Sequence, residues 1–279
     1  MVITGASTGI GEACALYLDE LGYRVFAGVR RPPDGDALKA KASARLTPVL
    51  LDVTDVASID RAVETVKQVV GSVGLAGLVN NAGIGVGGPL EVVPLADLRK
   101  QFEVNVIGQV AVTQAFLPLL RQGRGRIVNM GSIAGRSVMP FLGPYSASKF
   151  ALEALTDAMR LEFQPWGIQV SIVEPGAIES RIWDKAKHAA DQMEAAADPE
   201  ARARYGEAIA RVREAMEQAA QRAIPALVVA KAVVHALSAA RPKARYLVGL
   251  DAKLRAALAA WLPARVQDRL LTWVLKLPR

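Results

Sequence analysis

The feature that most constrains the fold is a regular alternation of short β-rich runs with longer segments of helical periodicity. The β-rich runs are Met1–Ile3, Arg24–Val29, Thr47–Leu51, Gly77–Asn80, Arg126–Met130, Gln169–Val173 and Arg245–Val248. The helix-period segments between them are Ile10–Leu21, Ser58–Val70, Leu95–Leu120 and Tyr145–Phe163. We therefore expect one doubly wound α/β domain over residues 1–250, with a parallel sheet of about seven strands and helices on both faces.

The composition suits one large domain in a reducing compartment. The chain has 279 residues, of which 52% are hydrophobic, and this is enough for a substantial core. Cys14 is the single cysteine, so an internal disulfide is excluded. His188 and His235 belong to no motif with metal-ligand spacing, and we expect no metal site. These features favour a cytoplasmic location.

The sequence shows neither a leader nor a membrane span. Met1–Ile3 runs directly into Thr4 without a basic or apolar leader, so we expect no cleavable signal, although a truncated start would also leave a short first strand. The most apolar run, from Ile224 to Ala240, contains Lys231 and is too short to cross a bilayer.

A glycine-rich turn follows the first strand and leads into the first helix. Ligands of open parallel sheets bind beyond the carboxyl ends of the strands, and glycines there allow the backbone to approach a pyrophosphate at a helix N-terminus. This context predicts a Rossmann-type dinucleotide site formed by Gly5, Ser7, Thr8, Gly9, Ile10 and Gly11.

Two arginines end the second strand, at the position where a carboxylate would hold the ribose of NAD. Arg30 and Arg31 suit the 2′-phosphate of NADP instead. A solvated basic turn is the alternative interpretation. We expect NADP(H) as the preferred cofactor, with NAD(H) as the other candidate.

Polar residues also follow the later strands. Asp52 and Val53 follow the third strand, where a carboxylate could accept a hydrogen bond from an adenine amino group. Asn81, in Asn80-Asn81-Ala82-Gly83, follows the fourth, where such side chains usually brace loops. The remaining polar or turn positions are Asn105 inside a predicted helix, Ser132 after the fifth strand, and Pro175-Gly176 after the sixth.

Tyr145 and Lys149 lie four residues apart at the opening of the fourth helix-period segment, so they share one helix face. A phenol has a pKa near ~10, and a neighbouring ammonium lowers it toward the range of a general acid or base. A surface pair at helical spacing is the ordinary alternative, and the surrounding motifs decide between the two.

Taken in order, these motifs resemble the short-chain dehydrogenase/reductase family over nearly all of residues 1–250. The resemblance implies that Tyr145 exchanges a proton with the substrate oxygen, while Lys149 lowers the pKa of Tyr145 and binds the nicotinamide ribose. It also implies that Ser132 polarises the substrate oxygen and that Asn105 holds a proton-relay water. Around the dinucleotide it implies Gly5, Ser7, Ile10, Asp52, Asn81, Ala82 and Gly83, with Pro175, Gly176, Ile178 and Ser180 at the nicotinamide end.

The substrate side is expected to be apolar. Residues 181–222 occupy the position of a family substrate lid, with Trp183, Met193, Ala196, Tyr205, Ile209 and Met216 as candidate wall residues. Ile133, Val138, Met139, Phe141 and Leu142 would form the opposite wall. Such a pocket suggests a lipophilic alcohol or carbonyl substrate. The sequence from Tyr145 through Ser180 resembles that of the hydroxysteroid and retinol dehydrogenase branch.

The C-terminal residues 241–279 contain nine basic and two acidic groups and so carry the whole formal net charge of +7. We interpret 251–279 as a basic amphipathic extension that lies on an anionic membrane, caps the pocket or packs on a partner subunit. Nucleic acid is not expected as a partner, because stacking aromatics and a reader motif are lacking.

Three further hypotheses remain open at this point. A dinucleotide-binding redox sensor would need no tuned phenol, and a nucleotide-sugar epimerase or dehydratase would usually have a longer chain. The family resemblance also implies a homodimer or homotetramer packed through Leu95–Leu120 and Tyr145–Phe163.

Overall fold

A computed structural model describes residues 1–179 and 199–277 of the chain. Its centre is a seven-stranded parallel sheet in the order β3-β2-β1-β4-β5-β6-β7. The strands are β1 (Val2–Ile3), β2 (Val25–Val29), β3 (Leu46–Leu50), β4 (Gly77–Asn80), β5 (Arg126–Met130), β6 (Gln169–Pro175) and β7 (Arg245–Val248). The predicted doubly wound α/β fold is confirmed.

Helices connect successive strands and cover both faces of the sheet. In the described residues they are α1 (Gly9–Glu20), α2 (Pro32–Lys39), α3 (Val56–Val70), α4 (Leu95–Phe102), α5 (Gly108–Gly123), α6 (Gly143–Glu162), α7 (Pro199–Gln221), α8 (Ala226–Ser238), α9 (Leu250–Trp261) and α10 (Ala264–Val274).

The hydrophobic core is divided by the sheet into two layers. On one face, α1 and α8 pack through buried side chains such as Leu18 and Val233. On the other face, α3, α5 and α6 contribute Ile59, Phe116 and Met159. All five residues of β2 are buried, as expected for a parallel strand covered on both sides.

Two helices of the described residues, α2 and α8, lie outside the four predicted helix-period segments and also outside the expected lid and C-terminal extension. Helix α2 begins with two prolines and contains a glycine, so its composition indicates a turn although proline is well suited to the first helical position. Helix α8 is apolar almost throughout, so it lacks the polar face that makes periodicity visible.

The helix predicted over Leu95–Leu120 is observed as one helical stretch, Leu95–Gly123, whose middle departs from α-helical geometry. Between α4 and α5 the chain forms a π-helical turn, Glu103–Ile107, which contains the buried Asn105. Among the described residues, Leu95–Gly123 is also the stretch long and apolar enough to cross a membrane. Because Phe116 and Leu120 on α5 are fully buried against the sheet, this stretch is a core element of the fold.

The C-terminal extension forms two helices instead of one. Helix α9 ends at Trp261, and Pro263 is the residue that precedes the first turn of α10. Proline cannot continue the hydrogen-bond ladder of α9, so the chain changes direction there. The two helices differ in environment, since α9 buries Ala252 and Ala256 whereas α10 buries none of its residues.

Candidate active site

A cavity of about 1120 Å³ opens at the carboxyl ends of the strands. It extends from the glycine-rich turn after β1, past the loops after β3, β4, β5 and β6, to α7 and α9. The predicted site residues in its wall are Gly5, Ser7, Thr8, Gly9, Ile10, Gly11, Arg30, Asp52, Val53, Asn81, Ala82, Gly83, Ser132, Tyr145, Lys149, Pro175, Gly176 and Ile178.

Two predicted site residues, Arg31 and Asn105, stand apart from this wall. Arg31 precedes α2 and pairs with Asp34 through Nη2 and Nε at 2.8 and 2.9 Å, so its guanidinium is engaged away from the cavity. Asn105 is fully buried behind the wall. Ser180 lies outside the described residues, as do Trp183, Met193 and Ala196 of the expected lid.

The glycine-rich turn can adopt its shape because Gly5 and Gly11 have no Cβ atom. Gly5 has a φ of +64°, and a Cβ there would lie 2.8 Å from Cα of Ala82. A Cβ on Gly11 would overlap the carbonyl oxygen of Gly5 and the amide of Asn81. The first turn of α1 therefore lies directly against two loops, and its N-terminus faces the cavity, where a pyrophosphate would be bound.

Thr4 joins the loops that follow β1 and β4. Its Oγ1 accepts hydrogen bonds from the backbone N–H groups of Asn81 and Ala82, both at 2.9 Å. The side chain of Asn81 returns donors to the carbonyl oxygens of Thr4 and Gly5 at 3.0 and 3.1 Å. The bracing role predicted for the asparagine pair is visible here, whereas the part played by Thr4 was missed.

A buried amide network holds the next loop against α6. Asn105 accepts from the N–H of Ile84 at 2.8 Å and donates to its carbonyl oxygen at 2.9 Å and to Ser148 Oγ at 3.2 Å. Gln101 accepts from the N–H of Val86 at 2.6 Å. Sequence reasoning missed Gln101 and Ser148. The available signal was a second amide four residues before Asn105 and therefore on the same helix face.

Ser132, Tyr145 and Lys149 meet in the cavity wall. The Tyr145 and Ser132 hydroxyls share a hydrogen bond, and Lys149 Nζ lies 5.7 Å from the centroid of the Tyr145 ring. Burial raises the pKa of Tyr145, and the bond to Ser132 opposes that rise. The expected lowering of this pKa by Lys149 is not seen in this arrangement, in which the ammonium donates to the carbonyl oxygen of Met130 at 2.7 Å.

Lys149 is itself tuned by its surroundings. Its side chain is almost fully buried, and this burial lowers the pKa to about 8, against the opposing charge of Glu153. Glu153 lies one turn further along α6 and bonds Arg245 at 3.2 Å. Burial and the nearby Glu174 raise the pKa of Glu153 to about 7. The lysine therefore loses its proton much more readily than a free one would.

The substrate end of the cavity is mostly apolar. Met139, Phe141 and Leu142 form one wall, and Tyr205, Ile209 and Met216 of α7 form the other. Val138 was expected in the first wall but lies outside it with half of its surface exposed.

The two substrate walls are joined at the mouth. The rings of Phe141 and Tyr205 meet edge to face with centroids 6.2 Å apart. Glu91 accepts from the Tyr205 hydroxyl and pairs with Arg204 at 2.9 Å. Helix α7 is thus tied across the cavity to the loop before α4.

Two residues of α9, Asp251 and Arg255, also reach the cavity and were not predicted as site residues. Asp251 accepts from the N–H of Ala177 at 2.8 Å, and Arg255 donates to the carbonyl oxygen of Ser137 at 2.7 Å. Of the three roles considered for the extension, α9 contributes to the pocket wall.

A glycine-rich turn at a helix N-terminus, joined in one cavity to a serine, a tyrosine and a buried lysine, defines a dinucleotide-dependent oxidoreductase of the doubly wound class. Residues 1–191 match the family model described as short chain dehydrogenase. The chain belongs to this family, and the resemblance drawn from its motifs is confirmed.

Similarity extends over the whole chain. Retinol dehydrogenase 5 of Mus musculus is 41% identical and the match covers 99% of this chain and 88% of the relative. The NADPH-dependent 3-dehydrocapnine reductase of Ornithobacterium rhinotracheale is 38% identical, over 96% of this chain and 94% of the relative. The crystal structure of a Burkholderia cenocepacia short chain dehydrogenase in complex with NADP superposes with a TM-score of 0.73 at 27% identity, covering 97% and 96% of the two chains. The chain is thus an NAD(P)-dependent, retinol dehydrogenase-like oxidoreductase.

Proposed function

We propose that this protein transfers a hydride between NADP(H) and a lipophilic alcohol or carbonyl compound, with Tyr145 as the general acid and base. The observation that carries this proposal is the meeting of Ser132, Tyr145 and Lys149 between a dinucleotide-type glycine turn and an apolar pocket. The absence of room for side chains at Gly5 and Gly11 fits the close approach of a dinucleotide backbone.

In carbonyl reduction, Tyr145 donates its proton to the substrate oxygen, and Ser132 donates a hydrogen bond to the same oxygen. NADPH, when bound, supplies the hydride. The raised pKa of Tyr145 keeps the phenol protonated at neutral pH, as a proton donor requires. Lys149 offsets the negative charge that forms on the phenol, and Asn105 holds a water for proton return.

The decisive experiment compares wild type with Tyr145→Phe. A positioned general acid contributes about 10²- to 10⁴-fold, so the variant should lose turnover by that factor and still bind NADPH. NADPH oxidation at 340 nm would be followed with retinal, a steroid ketone, a medium-chain aldehyde, a long-chain 3-keto amine and a quinone. Turnover in the phenylalanine variant equal to wild type would overturn the role of Tyr145. Tight dinucleotide binding without turnover in either protein would favour the redox-sensor hypothesis.

The cofactor preference rests on Arg30, which lines the cavity beyond β2. A charge-assisted bond to the 2′-phosphate predicts that Arg30→Ala raises the KM for NADPH about 10- to 100-fold and leaves that for NADH unchanged. Arg31→Ala is the matched control, because Arg31 is engaged by Asp34. An equal loss with both cofactors in Arg30→Ala would contradict the NADP preference.

The substrate class is argued from the apolar walls that face Tyr145. Met139, Phe141 and Leu142 oppose Ile209 and Met216 across a space wide enough for an extended lipid-like molecule. The relatives named for retinol and 3-dehydrocapnine support a lipophilic substrate. Among the test compounds, we expect retinal and the long-chain keto amine to have higher kcat/KM values than the quinone.

We propose a cytoplasmic location with peripheral contact to the inner face of a membrane through α10. This helix exposes Trp273 and Val274 by 76% and 57%, and Trp261 just before it by 85%. Arg265 and Arg269 lie on the same helix and would face anionic headgroups. Deletion of residues 264–279 should abolish co-sedimentation with anionic vesicles, and unchanged co-sedimentation would exclude this contact.

We also propose a homodimer or homotetramer that packs through α4–α5 and α6. Ile107, Phe150 and Leu161 are large apolar side chains on these helices with exposures of 52%, 44% and 62%. Light scattering at micromolar concentration should give a multiple of the 29.7 kDa chain mass. A monomeric mass would contradict the proposal.

A further inference from the structure

Helix α9 belongs to the C-terminal extension, yet it touches both loops at the reacting end of the cavity. Asp251 and Arg255 lie four residues apart and therefore on one face of α9. An apolar contact fixes the helix at this place, since Ala252 and Ala256 form a small buried cluster with Ile133 from the loop after β5. The same face thus carries an apolar anchor and two charged side chains directed at the site.

Asp251 is wedged between two glycines. Its Oδ2 accepts from the N–H of Ala177 at 2.8 Å. A Cβ on Gly176, or one on Gly249, would overlap the carboxylate. The carboxylate therefore lies directly against the backbone of the loop after β6.

Arg255 makes the corresponding contact on the other loop. Its Nη2 donates to the carbonyl oxygen of Ser137 at 2.7 Å, five residues after Ser132. The side chain is partly buried in the cavity wall. One helix turn of α9 thus spans the gap between the loops after β5 and β6.

The loop after β6 is also held from the side of Ile224. Ile178 forms a parallel bridge with Ile224, and the N–H of Ile224 donates to the carbonyl oxygen of Ala177 at 3.1 Å. At the other end, the N–H of Gly176 donates to the carbonyl oxygen of Val248 at 2.9 Å. The bond of Asp251 to Ala177 adds the contact that links this segment to α9.

We propose that Asp251 and Arg255 are positioning residues that set the distance between the loops after β5 and β6, so that the C-terminal extension completes the catalytic cavity. This inference rests on the proposed function. Neither side chain exchanges a proton or contacts the reacting atoms. They act by holding Ser132 and the segment Gly176–Ile178 in register with Tyr145.

An ordinary alternative is that Asp251 only stabilises α9, because an acid in the first turn interacts favourably with the helix dipole. Asp251→Glu separates the two explanations. Glutamate keeps the charge in the first turn but carries its carboxylate one methylene further from α9, so we expect its bond to the N–H of Ala177 to displace the loop after β6. The positioning role predicts that glutamate fails, and the dipole role predicts that it functions.

The experiment measures kcat and both KM values for Asp251→Ala, Asp251→Glu and Asp251→Asn on the full chain. Misplacement of a loop by about 1 Å costs roughly 10²-fold, which we expect in kcat/KM for the alanine and glutamate variants, together with a higher KM for NADPH. Asparagine keeps an acceptor for the N–H of Ala177 and should stay within about tenfold of wild type. Lys253→Ala, on the same helix and outside the cavity wall, is the matched control and should change nothing beyond about twofold.

A second set of variants tests Arg255. Arg255→Met keeps the aliphatic length without a donor and should lower kcat/KM about 10- to 100-fold. Arg255→Lys can still donate to the carbonyl oxygen of Ser137 and should recover part of that loss. An equal loss in the lysine and methionine variants would remove Arg255 from the proposal.

Hydrogen exchange gives a readout that does not depend on turnover. In Asp251→Ala, peptides covering residues 174–179 should exchange faster, while the melting temperature stays near that of Lys253→Ala. If wild type reduces no test compound, the proposed function fails, and the exchange data and the Kd for NADPH still decide this inference. Wild-type kinetics and exchange in the glutamate variant would overturn it. If the alanine variant does not fold, the contrast between asparagine and glutamate decides.

Discussion

The two halves of the cavity are built by different means. In the cofactor half, the turn after β1 is shaped by backbone atoms, and glycines are required because Cβ atoms would overlap their neighbours at Gly5 and Gly11. In the substrate half, the contacts are made by side chains. Glu91 accepts a hydrogen bond from the Tyr205 hydroxyl, and Asp251 accepts one from the backbone N–H of Ala177. Where backbone geometry shapes a site, few residue types are allowed at each position. Where side-chain contacts shape it, the two contacting residues must instead be compatible with each other.

We expect the largest difference in stability between the two halves when one glycine in each is replaced by alanine. Gly11→Ala places a Cβ against the backbone of Gly5, which cannot yield, so α1 must shift. We expect a stability loss of about 1–3 kcal/mol and at least about tenfold weaker NADPH binding. Chemical denaturation and cofactor titration measure both.

Gly206→Ala on α7 is the matched change in the substrate half. A Cβ there meets nothing within 4 Å, and alanine is the better helix former by about 1 kcal/mol. This variant should be as stable as wild type or more stable. If both substitutions cost the same, the contrast between the halves does not hold.

Two carboxylates outside the cavity wall extend the comparison to pH. On α1, burial would raise the pKa of Asp19, but two hydrogen bonds from Ser43 and the charge of Arg45 lower it. On α6, burial and Glu174 raise the pKa of Glu153 to about 7.

The native state therefore binds a proton at Glu153 that the unfolded chain has lost above its ordinary pKa of 4.5. The stabilisation from this proton is complete below pH 4.5 and is lost as pH rises to about 7. Glu153→Gln should gain on wild type by on the order of 1–2 kcal/mol between these limits. Asp19→Asn should behave in the opposite way, because the stabilisation from ionised Asp19 is complete above the ordinary value of 3.8 and is lost as pH falls below it, so the variant's deficit is largest above pH 3.8. Denaturation curves at several pH values test both, and parallel curves for wild type and Glu153→Gln would contradict the assignment.

The smallest effect is expected at the tie between α7 and the loop before α4. Glu91→Ala removes an exposed contact to Arg204 and Tyr205, which contributes at most about 1 kcal/mol to stability. The KM of the lipophilic substrate should rise several-fold while the Kd of NADPH stays constant, because Glu91 lies outside the cavity wall. Glu103→Ala would be a poor control, since Glu103 lines the cavity, whereas Glu207→Ala on α7 is suitable, because Glu207 pairs with Arg211 and lies outside the cavity wall. Equal shifts in both constants would show that the two halves are coupled.

The sheet was predictable because buried parallel strands are short apolar runs, and each of the seven runs overlaps an observed strand. The location of the polar residues at the strand ends was predictable for the same reason. Arg30 and Arg31 could not be told apart, since only the fold shows that Arg31 precedes α2 and pairs with Asp34. Asp251 and Arg255 are ordinary helix residues whose partners are backbone groups of distant loops, and no sequence pattern marks such contacts.

The π-helical turn at Glu103–Ile107 limits which insertions and deletions this part of the chain tolerates. A π turn holds one residue more than an α turn. Removal of one residue there would allow an unbroken α-helix, but it would rotate α4 by roughly 100° about its axis relative to α5. The side chain of Gln101 would lose its hydrogen bonds to the loop after β4, and the apolar side chains of α4 would turn away from their present neighbours. At this place the fold therefore excludes a change of chain length.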